Sequence, residues 1–122
     1  MRKRHLAGIM ICLVSLGPNA ARAEQTVSNF LQTVEEPLDR ERAETLLAGI
    51  NSGFMQANTW LAETRHEAPM YCVPEELVFT EDQLLSLLKK GADEDPAMGD
   101  MKVPAALLAV MRKTFPCAAA PK

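Results

Sequence analysis

From Thr26 onward the hydrophobic residues of this chain recur with a helical period. Val27, Phe30, Leu31 and Val34 fall at i, i+3, i+4 and i+7, which predicts a short helix over 26–34. Glu35-Glu36-Pro37 closes it, because proline disfavours helical backbone at the residue before it. Leu38 to about Thr64 then reads as one long helix, with Asp39 capping its start. Its apolar stripe is Leu46, Leu47, Ile50, Phe54, Ala57 and Leu61, and Trp60 beside it is read as core. Gly49 and Gly53 lie four apart on one face. Each costs up to about 1 kcal/mol relative to alanine, so they predict either close approach of another backbone or a kink. Pro69 stops this helix.

The stretch Phe79-Thr80-Glu81-Asp82-Gln83-Leu84 carries a full helix start. Thr80 is the N-cap, Gln83 completes a capping box, and Phe79 with Leu84 makes a hydrophobic staple. Glu81 and Asp82 place negative charge where the helix dipole favours it. Leu84, Leu85, Leu87 and Leu88 are predicted to bury against the long helix, and Lys89-Lys90-Gly91 to end their own, with Gly91 at C′. Residues 91–102 read as an exposed acidic loop bearing Asp93, Glu94, Asp95 and Asp100. Val103-Pro104 opens a last helix lined by Leu107, Leu108, Met111 and Phe115, which Pro116-Cys117 terminates. The tail Ala118 to Lys122 is expected to fray. No strand-like alternation and no internal repeat appears, so the pattern predicts a small all-α domain of four helices.

The N-terminus changes the picture of charge and compartment. Arg2, Lys3, Arg4 and His5 precede an apolar run from Leu6 to Leu16, then Gly17-Pro18 and the small-x-small site Ala21-Arg22-Ala23. These are the three parts of a cleaved secretory signal. The run is far short of the roughly 20 residues a spanning helix needs, which sets the signal reading above an uncleaved membrane anchor. Residues 1–23 are therefore expected to leave, Cys12 with them, and residues 24–122 to form one soluble domain. Four of the 13 Lys+Arg precede residue 24 and none of the 16 Asp+Glu do, so 9 against 16 gives a net charge of −7. Nucleic acid and anionic membranes are poor partners for such a chain, and a basic protein surface is a better one. Solubility alone accounts for the charge equally well. Cys72 and Cys117 remain, an even count in an exported chain, and this predicts a disulfide. Closing a loop of that length stabilises a fold by about 4 kcal/mol on the chain-entropy model.

Candidate chemistry is sparse. His66 stands among Glu63, Arg65 and Glu67, a solvated helix end with no third metal ligand in view. Met98 and Met101 have the spacing of a copper(I) thioether pair, but methionine also fills core gaps. The acids of the 91–102 loop do not follow the EF-hand order. Ser28, Ser52 and Ser86 have no adjacent base, and Glu75-Glu76 are sequence neighbours that point apart on a loop. The reading is a non-enzyme without metal or cofactor, acting through a binding surface.

Tyr71-Cys72-Val73-Pro74, Gln83-Leu84, Pro104-Ala105-Ala106-Leu107-Leu108 and Phe115-Pro116-Cys117 together resemble the Rap/Tai immunity proteins of type VI secretion. That family shares an aromatic-Cys-x-Pro opening, a Gln-Leu helix and a terminal aromatic-Pro-Cys. Leu47 to Gly53 is similar to its Gly-Tyr-x-x-Gly helix, without the aromatic. The resemblance covers roughly residues 46–117. It implies a periplasmic, all-helical, often dimeric protein that binds a peptidoglycan amidase delivered by neighbouring cells and blocks its cleft, with no catalysis of its own. It also implies a loop that enters the toxin's groove, and the candidate here is Asp93, Glu94, Asp95 and Asp100. A small acid-stress chaperone of the periplasm and an envelope adaptor are the alternative classes.

Overall fold

The structure, a computed structural model, describes residues 25–118. The signal expected over 1–23 lies outside the described residues, as do residues 119–122 of the tail. Four α-helices surround one core, joined by a π-helical turn and a 3-10 turn. The described residues form no strand, only an isolated bridge between Thr26 and Lys102. The all-α, four-helix reading is therefore what the chain adopts.

Helix α1 (Val27–Thr33) starts at Thr26, whose hydroxyl accepts from the Asn29 N–H at 3.4 Å. The extended residues before it lie along the head of the last helix. Val27 N–H donates to Met101 O at 2.9 Å and Val103 N–H to Gln25 O at 3.1 Å. Val27, Phe30 and Val34 face the core.

Helix α2 (Pro37–Trp60) opens with proline in its first turn, where the missing N–H costs nothing. Glu36 occupies the N-cap without a side-chain bond, so Asp39 is not the cap. Asp39 sits one turn in and accepts from Arg42 at 3.2 Å. Arg40 bridges Glu44 at 2.8 Å and Asp82, tying this end of α2 to the next helix. Ala43, Leu47 and Asn51 are buried, and Leu46, Ile50 and Phe54 pack half-buried against the core. Trp60 is a correction: it is 52% exposed, with the Arg65 guanidinium 5.7 Å from its ring centroid. At about 100° per residue it lies roughly 140° around the helix from Leu47, on the outer face. Gly49 and Gly53 share that face, and a Cβ built on either meets nothing within 4 Å. No other backbone of the described residues packs there. The helix runs on through the π turn Leu61–Arg65 and ends at His66, which is left-handed with φ 54°, before Pro69 is reached.

Helix α3 (Glu81–Glu94) has the predicted capping box. Gln83 N–H donates to Thr80 Oγ1 at 3.3 Å, and Thr80 N–H donates to Gln83 Oε1 at 2.9 Å. Leu84, Leu85 and Leu88 are buried and Leu87 half-buried. The predicted end at Gly91 is overturned: the helix continues to Glu94, and Gly91 lies on its buried stripe. A Cβ there would come within 2.4 Å of Val110 Cγ2 and 3.1 Å of Met98 Sδ. Gly91 is needed for close helix approach, not for a left-handed cap. What stops α3 is Pro96, which forces Asp95 into an extended conformation (φ −134°, ψ 94°). A 3-10 turn (Pro96–Asp100) follows, capped by the Asp95 carboxylate accepting from Ala97 N–H at 3.1 Å. Residues 91–102 are thus ordered helix and turn, with Met98 buried in the core and Met101 packed against it.

Helix α4 (Val103–Thr114) carries its proline in the first turn and buries Val103, Ala106, Leu107, Val110 and Met111. Leu108 and Phe115 are half-buried beside them. Beyond it, Cys117 is joined to Cys72, with Cα atoms 4.8 Å apart across a separation of 45 residues. Cys72 N–H donates to Phe115 O at 2.8 Å, and Phe79 meets Phe115 edge-on at 5.4 Å. These contacts hold the segment before α3 onto the end of α4.

The two kinds of helical glycine predict opposite outcomes. Gly53→Ala is expected to raise stability by up to about 1 kcal/mol, because an exposed helix interior gains propensity. Gly91→Ala is expected to lower it, since overpacking costs about 1–3 kcal/mol and the valine it meets is stiff. Urea unfolding of both variants checks this, and shifts of the same sign would refute the packing role of Gly91.

Candidate functional site

Two surfaces merit attention: the acidic end of α3, which the sequence singles out, and a groove that it does not.

Asp93, Glu94, Asp95 and Asp100 are all exposed. Asp93 to Asp95 are contiguous at the end of α3, and the 3-10 turn separates them from Asp100 by roughly 10 Å at about 2 Å per residue. Their environments differ. Glu94 accepts from Lys113 Nζ at 2.8 Å and lies 3.7 Å from Lys90 Nζ. The Lys113 hydrogen bond, and then its charge, hold the Glu94 carboxyl below the ordinary range, and the bond to Glu94, and then the Glu94 charge, raise the Lys113 ammonium. A depressed carboxyl contributes stability at neutral pH that fades as pH falls through its folded value. The contribution is small, because the pair is open to solvent. Glu94 and Asp95, with Lys90 and Lys113, line a shallow depression between α3 and α4, so the charge there is mixed. Asp93 and Asp100 are the acids of this set whose side chains hold no structural contact described above.

The groove lies between the second half of α2 and the segment that carries Cys72. Its volume is about 630 Å³. Asn51, Met55, Asn58 and Glu63 line one wall; Tyr71, Glu75, Leu77 and Val78 line the other. Asn58 fastens the two walls together. Its Nδ2 donates to Tyr71 O at 3.1 Å, and its Oδ1 accepts from Met70 N–H at 2.8 Å. One side-chain amide thus satisfies two backbone groups of a stretch with no regular structure, as buried backbone requires. The disulfide closes the far side through Cys72, which also lines the groove.

The groove is apolar at its lip and polar beneath. Val78 is 81% exposed and Met55 56%, with Leu77 beside them. Tyr71 and Asn51 are buried, and neither the Tyr71 hydroxyl nor Asn51 Oδ1 has a hydrogen-bond partner among the described residues. Burial raises the Tyr71 phenol above its ordinary value, so it stays neutral. Among the described residues, the only charges in the lining are the carboxylates Glu63 and Glu75, one from each wall. Sequence reasoning passed over this site. Its signals were Asn51 and Asn58, polar residues seven apart on the apolar stripe of α2, and the run Leu77-Val78-Phe79, longer than a hydrophobic staple needs.

Among the described residues, no three His, Cys, Asp or Glu side chains converge as a metal ligand set. No described helix is long and apolar enough to cross a membrane. Comparison of the chain with protein-family models, with curated proteins and with solved structures finds no match.

Asn58→Ala is expected to cost about 1–3 kcal/mol, from two hydrogen bonds of roughly 0.5–1.5 kcal/mol each. Amide exchange should accelerate selectively over residues 69–79. A uniform acceleration across all four helices would contradict the local clamp.

Proposed function

We propose that this chain is an exported binding protein without catalysis of its own: a periplasmic immunity protein of type VI secretion that inhibits a peptidoglycan amidase toxin. The observation that carries the reading is the pairing of Tyr71-Cys72-Val73-Pro74 with Phe115-Pro116-Cys117 by a disulfide around α3 and α4. Those are the motifs on which the resemblance to the Rap/Tai proteins rests. A signal-like start and a structural disulfide both suit an oxidising compartment outside the cytoplasm. The expected partner is an amidase effector, and the expected assembly is a homodimer.

The acidic end of α3 with the 3-10 turn after it is the proposed contact with the toxin, where Asp93 and Asp100 are exposed beside the paired Glu94. Carboxylates at the rim of an interface steer and orient a basic partner, and their loss shows mainly in association rate and salt dependence. Because that segment is helix and tight turn, it meets a cleft as a rigid edge with little ordering cost.

The test is capture of amidase effectors from the same genome by the oxidised protein, followed by a peptidoglycan hydrolysis assay. Binding with loss of hydrolysis supports the reading, and binding of none of them overturns it. Asp93→Lys with Asp100→Lys leaves the Glu94 bridge and the Asp95 cap in place. This pair of changes is expected to weaken binding roughly tenfold or more, about 1.4 kcal/mol. Unchanged affinity would move the contact elsewhere on the surface.

A further inference from the structure

We propose that the groove between α2 and the Cys72 segment is a docking site for a protein segment bearing apolar side chains flanked by lysine or arginine. Four observations lead there. The lip is apolar on both walls, with Met55 opposite Leu77 and Val78, and Val78 is the most exposed large hydrophobic residue described. Such side chains gathered around a concavity mark a binding surface more than a solvated one.

The electrostatics choose among partners. Glu63 and Glu75 stand on opposite walls, and no cation among the described residues lines the groove. A segment lying along it passes both carboxylates, so cationic residues flanking an apolar centre are complementary and acidic ones are repelled. At the base, the Tyr71 hydroxyl and Asn51 Oδ1 are buried polar atoms without partners. Native structures seldom leave such groups orphaned. Both walls are held before any partner arrives, one as helix and the other by Asn58 and the disulfide. Binding therefore spends little on ordering the site.

This site is distinct from the acidic end of α3, and its ligand is defined by chemistry alone, so it stands or falls separately from the amidase reading. The experiment is an array of short synthetic peptides in which apolar content and charge vary independently, probed with the purified oxidised protein. Retention is expected only for peptides combining Leu, Ile or Phe with Lys or Arg. Val78→Asp should reduce it roughly tenfold or more. Glu63→Lys with Glu75→Lys should shift the preference toward peptides bearing Asp or Glu. These side chains are exposed, and far-ultraviolet circular dichroism of each variant verifies that the fold is kept.

Retention indifferent to charge or to apolar content, no retention at all, or a Val78→Asp variant that binds like the parent would overturn the proposal. Sedimentation equilibrium of the parent and Val78→Asp proteins supplies the other arm. Self-association abolished by the substitution would assign the face to a second copy of this chain and likewise overturn it.

Discussion

The covalent tie between Cys72 and Cys117 is the constraint on which the arrangement of this molecule depends. Residues 66–80 form no helix or strand, yet they make one wall of the groove and bury Tyr71. An irregular stretch of that length stays ordered only if its backbone groups and side chains find fixed partners. The disulfide, the Cys72–Phe115 hydrogen bond and the edge-on contact of Phe79 with Phe115 fix it to the end of α4. Asn58 fixes the same stretch to α2. One segment thereby links the longest helix to the last one.

Packing within the closed unit turns on small residues placed where helices approach. Gly91 admits Val110 of α4 to the backbone of α3, with Met98 of the 3-10 turn filling in beside it. This makes the end of α3 part of the core, and Asp93 to Asp95 are consequently presented from a rigid helix terminus. The methionine that reads from the sequence as half of a possible copper pair is a core residue for the same reason.

Much of this fold is legible along the chain. The capping box at Thr80 and Gln83 and the stripes of α1, α3 and α4 follow from local signals that tertiary packing reinforces, and the cysteine pairing follows from the even count expected after export. Two of the errors have a common origin: a glycine or an aromatic residue carries little information until its angular position and its neighbours are known. Gly91 resembles a helix cap because two lysines precede it, but Pro96 is the actual stop. Trp60 is apolar and near a stripe, yet it falls on the solvent face. The groove was not legible because its walls come from segments joined by long-range contacts. Asn58 is one member of the site, and nothing in its own neighbourhood tells that Met70 and Tyr71 will be its partners.

Two surfaces stand out among the described residues: a rigid acidic edge at the end of α3 and a clamped apolar groove between α2 and the Cys72 segment. Both depend on the unit between the two cysteines staying closed. The most direct test of that dependence is urea unfolding of the oxidised protein beside the Cys72→Ser, Cys117→Ser double variant. The expected result is a loss of about 4 kcal/mol in the variant, the chain-entropy value for a loop of this length. Stabilities that agree to within about 0.5 kcal/mol would contradict it and place the closure of the fold in its noncovalent contacts alone.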